Sequence, residues 1–243
     1  MPEGPSLVIA REDLQDFVGK KVLAVSGNTK IDKDRLLHEK LRDIKTWGKH
    51  LLLHFGSFTV KIHLLMFGKY LVNERRDKDA RLSLQFSNGE LNLYTCSVKF
   101  IEEPLDEIYD WSADVLSESW DPKAARKKLK AIPDTLVTDA LLDQQIFSGV
   151  GNIIKNEVLF RIKVHPKSTV GALPPRKLTQ LINEARNYSF DFLKWKKEYT
   201  LRQHWLVHTK KTCPRDGARI IKEYLGKTER RTFFCDVCQV RYE

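Results

Sequence analysis

Near Asp121 the hydrophobic period of this chain changes from two to between three and four, and no single regular element carries both. Upstream, from Lys20 to about Phe100, apolar and polar residues alternate. Leu82, Leu84 and Phe86 precede Asn88-Gly89, and Leu91 and Leu93 follow it. Two alternating runs joined by Asn-Gly predict a hairpin with positive φ at both central turn residues. Val22–Val25, His50–Phe55 and Phe58–Leu65 read as further strands, with a turn at Gly56-Ser57. Only 12–18 and 33–41 read as helical in this half. Downstream, the spacing predicts helices over 123–131, 135–147, 152–161 and 175–199, punctuated by Pro133, Pro166 and Pro174-Pro175. The stretch from Glu102 to Asp121 holds eight Asp+Glu and no Lys or Arg, and is read as the link. The expected fold is α+β and multi-domain: an N-terminal β-sandwich over 1–121, a helical domain over 122–205 and a small Cys-bearing ribbon over 206–243.

Charge follows the same division. Residues 1–122 hold 17 Lys+Arg against 20 Asp+Glu, and residues 123–243 hold 25 against 12. The division suits either a polyanion partner engaged mainly by the second half or an ordinary solubilising surface. The apolar runs are too short for a membrane span. The first residues have neither the basic nor the apolar segment of a secretory signal. A cytoplasmic location is therefore expected, without a membrane partner. A disulfide framework is not expected there.

Three of the four cysteines fall in the last 31 residues. Cys235-Asp-Val-Cys238 is a C-x-x-C knuckle, and Cys213-Pro-Arg-Asp216 lies upstream across 18 residues. Two such pairs on short hairpins suit one structural, tetrahedral Zn²⁺. Its fourth donor has two candidates, Asp216 and His208. Cys96 reads as a small core residue of a strand. Arg230 and Arg231 lie between the knuckles, where guanidinium forks match phosphate. From Leu141 to Phe160 an apolar-periodic helix enters Gly149-Val-Gly151-Asn152, and a second helix leaves it. Asn152 is the expected N-cap, and exposed amide hydrogens at a helix start attract phosphate.

Four stretches, in order along the chain, resemble the formamidopyrimidine-DNA glycosylase / endonuclease VIII family. They are Met1-Pro2-Glu3-Gly4-Pro5, Trp47-Gly48-Lys49-His50, the segment through Gly149–Asn152, and the ribbon with Arg230 five residues before Cys235. The resemblance covers essentially the whole chain. It implies a helix–two-turns–helix motif, a zinc-finger β-hairpin, and a monomeric enzyme acting on damaged double-stranded DNA. The implied activity is that of a bifunctional DNA glycosylase and abasic-site lyase of base excision repair. Pro2 would be the nucleophile once Met1 is removed, and Glu3 would protonate the sugar ring oxygen or shuttle protons. Lys49 would contact a phosphate near the lesion. Gly151, Asn152, Lys155 and Arg230 would bind DNA, and Leu65-Met66-Phe67 would fill the void left by a flipped base.

Proline at position 2 suits that chemistry. A terminal α-amine titrates near about 7.7–8.0 against about 10.4 for lysine, so far more of it is free base at neutral pH. Attack by a secondary amine on C1′ gives an iminium with no N–H proton to lose, which persists as an electron sink for β,δ-elimination. The chain also departs from the family pattern. Position 6 is Ser where Glu is usual. Thr95-Cys-Ser-Val-Lys99-Phe100 replaces the Asp-Pro-Arg-Arg-Phe-Gly loop of the formamidopyrimidine branch, which points toward the endonuclease VIII side and oxidised pyrimidines. The alternative is a damaged-DNA-binding homologue without turnover; retention of Pro2, Glu3 and Lys49 together favours the enzyme.

Overall fold

The computed structural model describes residues 2–243; Met1, and hence its expected removal, lies outside the described residues. The chain divides into two compact units, the first ending at Tyr109 and the second running from Asp110 to Glu243.

In the first unit, α1 (Gly4–Asp13) is followed by β1 (Ala24–Ser26), β2 (Asp43–Trp47), β3 (His50–His54), β4 (Thr59–Val72), β5 (Leu82–Phe86), β6 (Gly89–Ile101) and the short α2 (Leu105–Ile108). The six strands form one antiparallel sheet in the order β1-β5-β6-β4-β3-β2. The long β4/β6 ladder carries β3 and β2 along one end and β5 and β1 along the other. Leu51, Leu53, Val60 and Ile62 from one end join Leu82, Leu84, Leu91 and Leu93 from the other in a single fully buried cluster, with Leu7 of α1 among them. Alternate strand residues supply these side chains, as period two requires.

Three local expectations are corrected. The first helix runs over Gly4–Asp13 and ends where 12–18 had been expected to begin. Pro5 lies at a first-turn position, where its missing N–H has no intrahelical use. The expected helix over 33–41 is only a 3₁₀ turn at Asp34–Leu36, and β2, a strand that the alternation did not single out, follows it. In the β5–β6 hairpin Phe86 pairs with Gly89, so the two turn residues are Ser87 and Asn88. Neither has positive φ. The side chain of Asn73 instead occupies the space beside Gly89, accepting the Glu90 N–H at 2.8 Å.

The second unit contains α3 (Pro122–Lys130), α4 (Val137–Leu142), α5 (Asn152–Arg161), α6 (Pro175–Lys197) and the hairpin β7 (Ile221–Leu225)–β8 (Arg230–Phe234). Asp121 caps α3 by accepting the Lys123 N–H at 2.7 Å. α4 stops at Leu142 rather than 147, and Gln144 explains the stop. Its amide donates to the carbonyls of Leu142 (2.8 Å) and Val150 (3.1 Å) and accepts the Gly149 N–H (3.1 Å), closing a turn in place of a further helical one. Val137, Leu141, Phe147, Val150, Ile154, Val158, Leu181 and Tyr188 make the helical core. A smaller cluster of Phe160, Val207, Cys213, Ile220, Phe233 and Cys235 binds the ribbon to the end of α5. Among the described residues no helix is long and apolar enough to cross a membrane.

Candidate functional site

In the first unit Glu3 is the residue before the first turn of α1, with extended backbone (φ −113°, ψ 171°), and its side chain is only 1% exposed. Its carbonyl accepts the Ser6 N–H at 2.8 Å. Pro2, immediately before it, is partly exposed. A buried carboxyl next in sequence to a partly exposed Pro2 is an arrangement that can hold or move a proton there.

Lys49 sits in the two-residue turn between Trp47 and His50, the closing pair of β2 and β3. Gly48 takes φ 52°, the left-handed value a primed hairpin turn needs at its first position. Beside this turn lies a group that sequence reasoning missed. His50 is paired across the ladder with His63, and the Tyr109 hydroxyl is 3.2 Å from His50 Nδ1. The Trp47 ring packs on Tyr109 at 4.9 Å. Burial, then the charges of Lys61, His63 and Lys49, lowers the His50 pKa to about 4. His63 is lowered as well, first by burial and then by Lys49 and Lys61. The imidazoles next to Lys49 are thus neutral at neutral pH. The signal was present in the sequence, since His50 ends the Trp-Gly-Lys-His stretch and His63 begins the run into Leu65.

The β4/β6 ladder breaks between Leu64 and Lys69: Leu64 pairs with Cys96 and Lys69 with Tyr94. Residues 65–68 therefore stand opposite Thr95 alone. Leu65, Met66 and Phe67 are 44%, 54% and 78% exposed. Gly68 closes the bulge where a Cβ would lie 2.7 Å from the Thr95 carbonyl oxygen, and Thr95 itself has φ 51°. An apolar run of this kind ordinarily packs into a core; here the bulge turns it outward. Cys96 is buried in β6, as expected, and burial raises its thiol to about 11.

In the second unit the first turn of α5 is bound to β8. Gly151, not Asn152, is the N-cap. Asn152 is the first helical residue, and its Nδ2 donates to the Arg231 carbonyl at 2.8 Å. Lys155 is fully buried and donates from Nζ to the Thr232 hydroxyl at 2.8 Å. Its amine is thus held by a residue of the ribbon. Thr232 in turn donates to the Arg230 carbonyl at 3.0 Å. Buried Glu157 accepts the N–H groups of Leu206, Val207 and His208 at 2.9, 3.0 and 2.8 Å. Burial raises its pKa, against the pull of those three donors. Arg230 is partly exposed on β8 opposite Leu225, and Arg231 is exposed opposite Tyr224.

Cys213, Asp216, Cys235 and Cys238 bring one donor atom each to within 4.8 Å of one another. Cys213 Sγ and Cys238 Sγ are 3.8 Å apart, and the Asp216 oxygens lie 3.3 and 3.6 Å from Cys235 Sγ. A tetrahedron of about 2.3 Å metal–sulfur bonds has S···S edges of about 3.8 Å, so the donors fit a tetrahedral cation. His208 is not in this group. Its Nδ1 meets the Asn156 amide at 3.0 Å, and its ring packs on Trp205 and Phe233. Between the two candidates, the structure gathers Asp216. Arg215, which the sequence did not flag, donates to Cys238 Sγ at 3.4 Å and to the Phe160 carbonyl at 2.8 Å.

Comparison with known proteins agrees with this geometry. Residues 1–100 match the formamidopyrimidine-DNA glycosylase N-terminal domain and residues 112–189 its H2TH domain. The chain is 31% identical over 209 residues to Endonuclease 8-like 3 of Xenopus laevis, covering 81% of this chain and 34% of that protein. It thus spans about a third of that relative's length. It is 27% identical over 209 residues to the DNA-(apurinic or apyrimidinic site) lyase Nei2 of Mycolicibacterium smegmatis, covering 81% of each. Among solved structures, the Lactococcus lactis formamidopyrimidine-DNA glycosylase bound non-covalently to DNA containing an AP site superposes with a TM-score of 0.85 at 25% identity, over 98% of this chain and 99% of that one.

Proposed function

The chain belongs to the formamidopyrimidine-DNA glycosylase family, near its endonuclease VIII side, and from that premise we propose that it excises oxidised bases from damaged DNA and then cleaves the abasic site. The observation that carries this reading is the bulge at residues 65–68. Three large apolar side chains left exposed to water contribute little to the fold, whereas insertion between base steps offsets the stacking lost when a lesion is flipped out.

The nitrogen of Pro2, once amino-terminal, attacks the deoxyribose C1′, and the C1′–N bond to the base breaks. The departing base takes the electron pair, and ring opening leaves an iminium between Pro2 and C1′. Glu3 supplies the proton to the ring oxygen, being buried and adjacent in sequence to Pro2. The iminium acidifies C2′, and elimination expels the 3′ phosphate and then the 5′ phosphate. Water finally releases the sugar fragment from Pro2. Lys49 contacts a phosphate near the lesion, while Gly151, Asn152 and Arg230 hold the backbone. The substrate class is oxidised pyrimidines, because Thr95–Phe100 stands where the formamidopyrimidine branch carries the loop that reads the opposite base.

Zinc suits the donor set of Cys213, Asp216, Cys235 and Cys238, and when bound it supplies structural rigidity to the ribbon, not reactivity. On this reading the N-terminal sheet is the sandwich, 122–205 is the helix–two-turns–helix domain and 206–243 is the zinc-finger ribbon. The protein acts as a monomer on damaged duplex DNA in the cytoplasm. Borohydride should trap a covalent adduct with abasic-site duplex, and Pro2→Gly should lower its yield at least about tenfold. An undiminished yield would remove Pro2 from the mechanism.

A further inference from the structure

The ribbon carries a second charged surface that none of the roles above uses. A cleft of about 600 Å³ is lined by Lys210, Lys211, Arg219 and Lys222 with Thr209 and Thr212, over a floor of Ile220 and Phe233. No acidic residue lines it. Among the described residues none of the four cations has an ion-pair partner, in contrast to Lys167, which pairs with Glu223 of the same hairpin at 2.7 Å.

The hairpin register explains the separation. Lys222 faces Phe233 and Tyr224 faces Arg231, so these four share one face. Glu223 faces Thr232 and Leu225 faces Arg230, so the acidic residue and Arg230 lie on the other. From the cleft the basic face continues along Tyr224, which is 62% exposed, to the exposed Arg231. Lys222 Nζ lies 5.9 Å from the centre of the Tyr224 ring. The floor is rigid, because Ile220 and Phe233 are buried in the core next to Cys213 and Cys235.

We propose that this cleft binds a run of phosphodiesters, as a second nucleic-acid contact on the opposite face of the hairpin from Arg230. Four cations spread over three segments exceed what a single phosphate neutralises. A nucleic-acid backbone matches them, since a duplex places one charge about every 1.7 Å along its axis. Threonine hydroxyls suit phosphate oxygens, and an exposed tyrosine beside cations suits the strand that passes it. The phosphodiesters come from one of two sources, the flank of the duplex that carries the lesion or a separate single strand. The choice of nucleic acid as ligand rests on the function proposed above; the cleft itself does not.

The test uses the full-length protein and the double variant Lys210→Gln/Lys222→Gln, both at exposed positions. Affinity is measured against salt for a short lesion duplex, a long lesion duplex and an unmodified single strand. The variant should lower the salt slope by about two on the source it engages and weaken binding roughly tenfold, with single-turnover excision of the short duplex unchanged. Loss confined to the long duplex identifies the flank, and loss confined to the single strand identifies a separate strand. An unchanged slope on both overturns the proposal, as does a loss on the short duplex equal to that of Arg230→Ala. If wild-type protein excises nothing while the slope still falls, the proposed function fails and the cleft stands.

Discussion

In the first unit the candidate groups sit within short stretches of sequence, at Pro2-Glu3, Trp47–His50 and Leu65–Gly68. In the second unit they are joined from far apart: Asn152 to Arg231, Lys155 to Thr232 and Asp216 to Cys235. The first unit holds its candidate chemistry on turns and a bulge of a sheet whose stability lies elsewhere, in an apolar core. The second spends buried polar groups on its own assembly, with Lys155, Asn156 and Glu157 all within 1% of full burial. Substitutions should therefore separate activity from stability in the first unit and couple them in the second.

The largest expected effect is on the ribbon. Structural zinc sites contribute about 10 kcal/mol or more of apparent binding free energy. Stripping the metal with a chelator should unfold β7–β8 and abolish DNA binding, while the six-stranded sheet keeps its circular-dichroism signal. Loss of the sheet as well would show that the two units do not differ in this way. Asp216→Ala should weaken metal retention, and His208→Ala should leave metal stoichiometry at one.

Acid provides the next contrast. His50 in the first unit and His208 in the second are both lowered from 6.5 to about 4, chiefly by burial. The unfolded chain takes up these protons near pH 6.5 and the folded chain refuses them until about pH 4. Stability is therefore unaffected above 6.5 and falls as pH drops from 6.5 to 4, by about 3 kcal/mol for each histidine. Denaturant titrations of His50→Gln and His208→Gln should each show a flatter decline over that window. A decline as steep as the wild type's in both would contradict the assignment.

Smaller effects separate the units more finely. Lys155→Ala removes a buried side chain and its bond to Thr232, and should destabilise the second unit by about 2–4 kcal/mol in thermal unfolding. Phe67→Ala should change stability by no more than about 0.5 kcal/mol, because the ring is 78% exposed. It should instead weaken binding to lesion duplex roughly tenfold, the scale of one lost stacking contact. A Phe67→Ala protein that melts early but binds normally would reverse the comparison.

The same contrast governs what could be read from the residues alone. Periodicity located the strands of the β3–β4 and β5–β6 hairpins and α5, since their signals are local, and the C-x-x-C knuckle named two of the four gathered donors. The burial of Lys155 was not legible, because its partner Thr232 comes from β8, 77 residues on. Asp216 and His208 were indistinguishable by spacing, and only the fold sends His208 to Asn156. The early start of α1 was hidden by Gly4-Pro5, which punctuates loops as readily as it opens helices. His63 was passed over because its partner His50 is set by strand register, and the exposure of Leu65–Phe67 depended on a bulge that no apolar count reveals.

Peptide mapping of the borohydride-trapped complex bears most directly on the central claim. After proteolysis, the reduced sugar fragment should be found by mass on the nitrogen of Pro2, with Met1 absent from that peptide. A fragment found on Lys49 or any other lysine, in a preparation with full excision activity, would contradict the account.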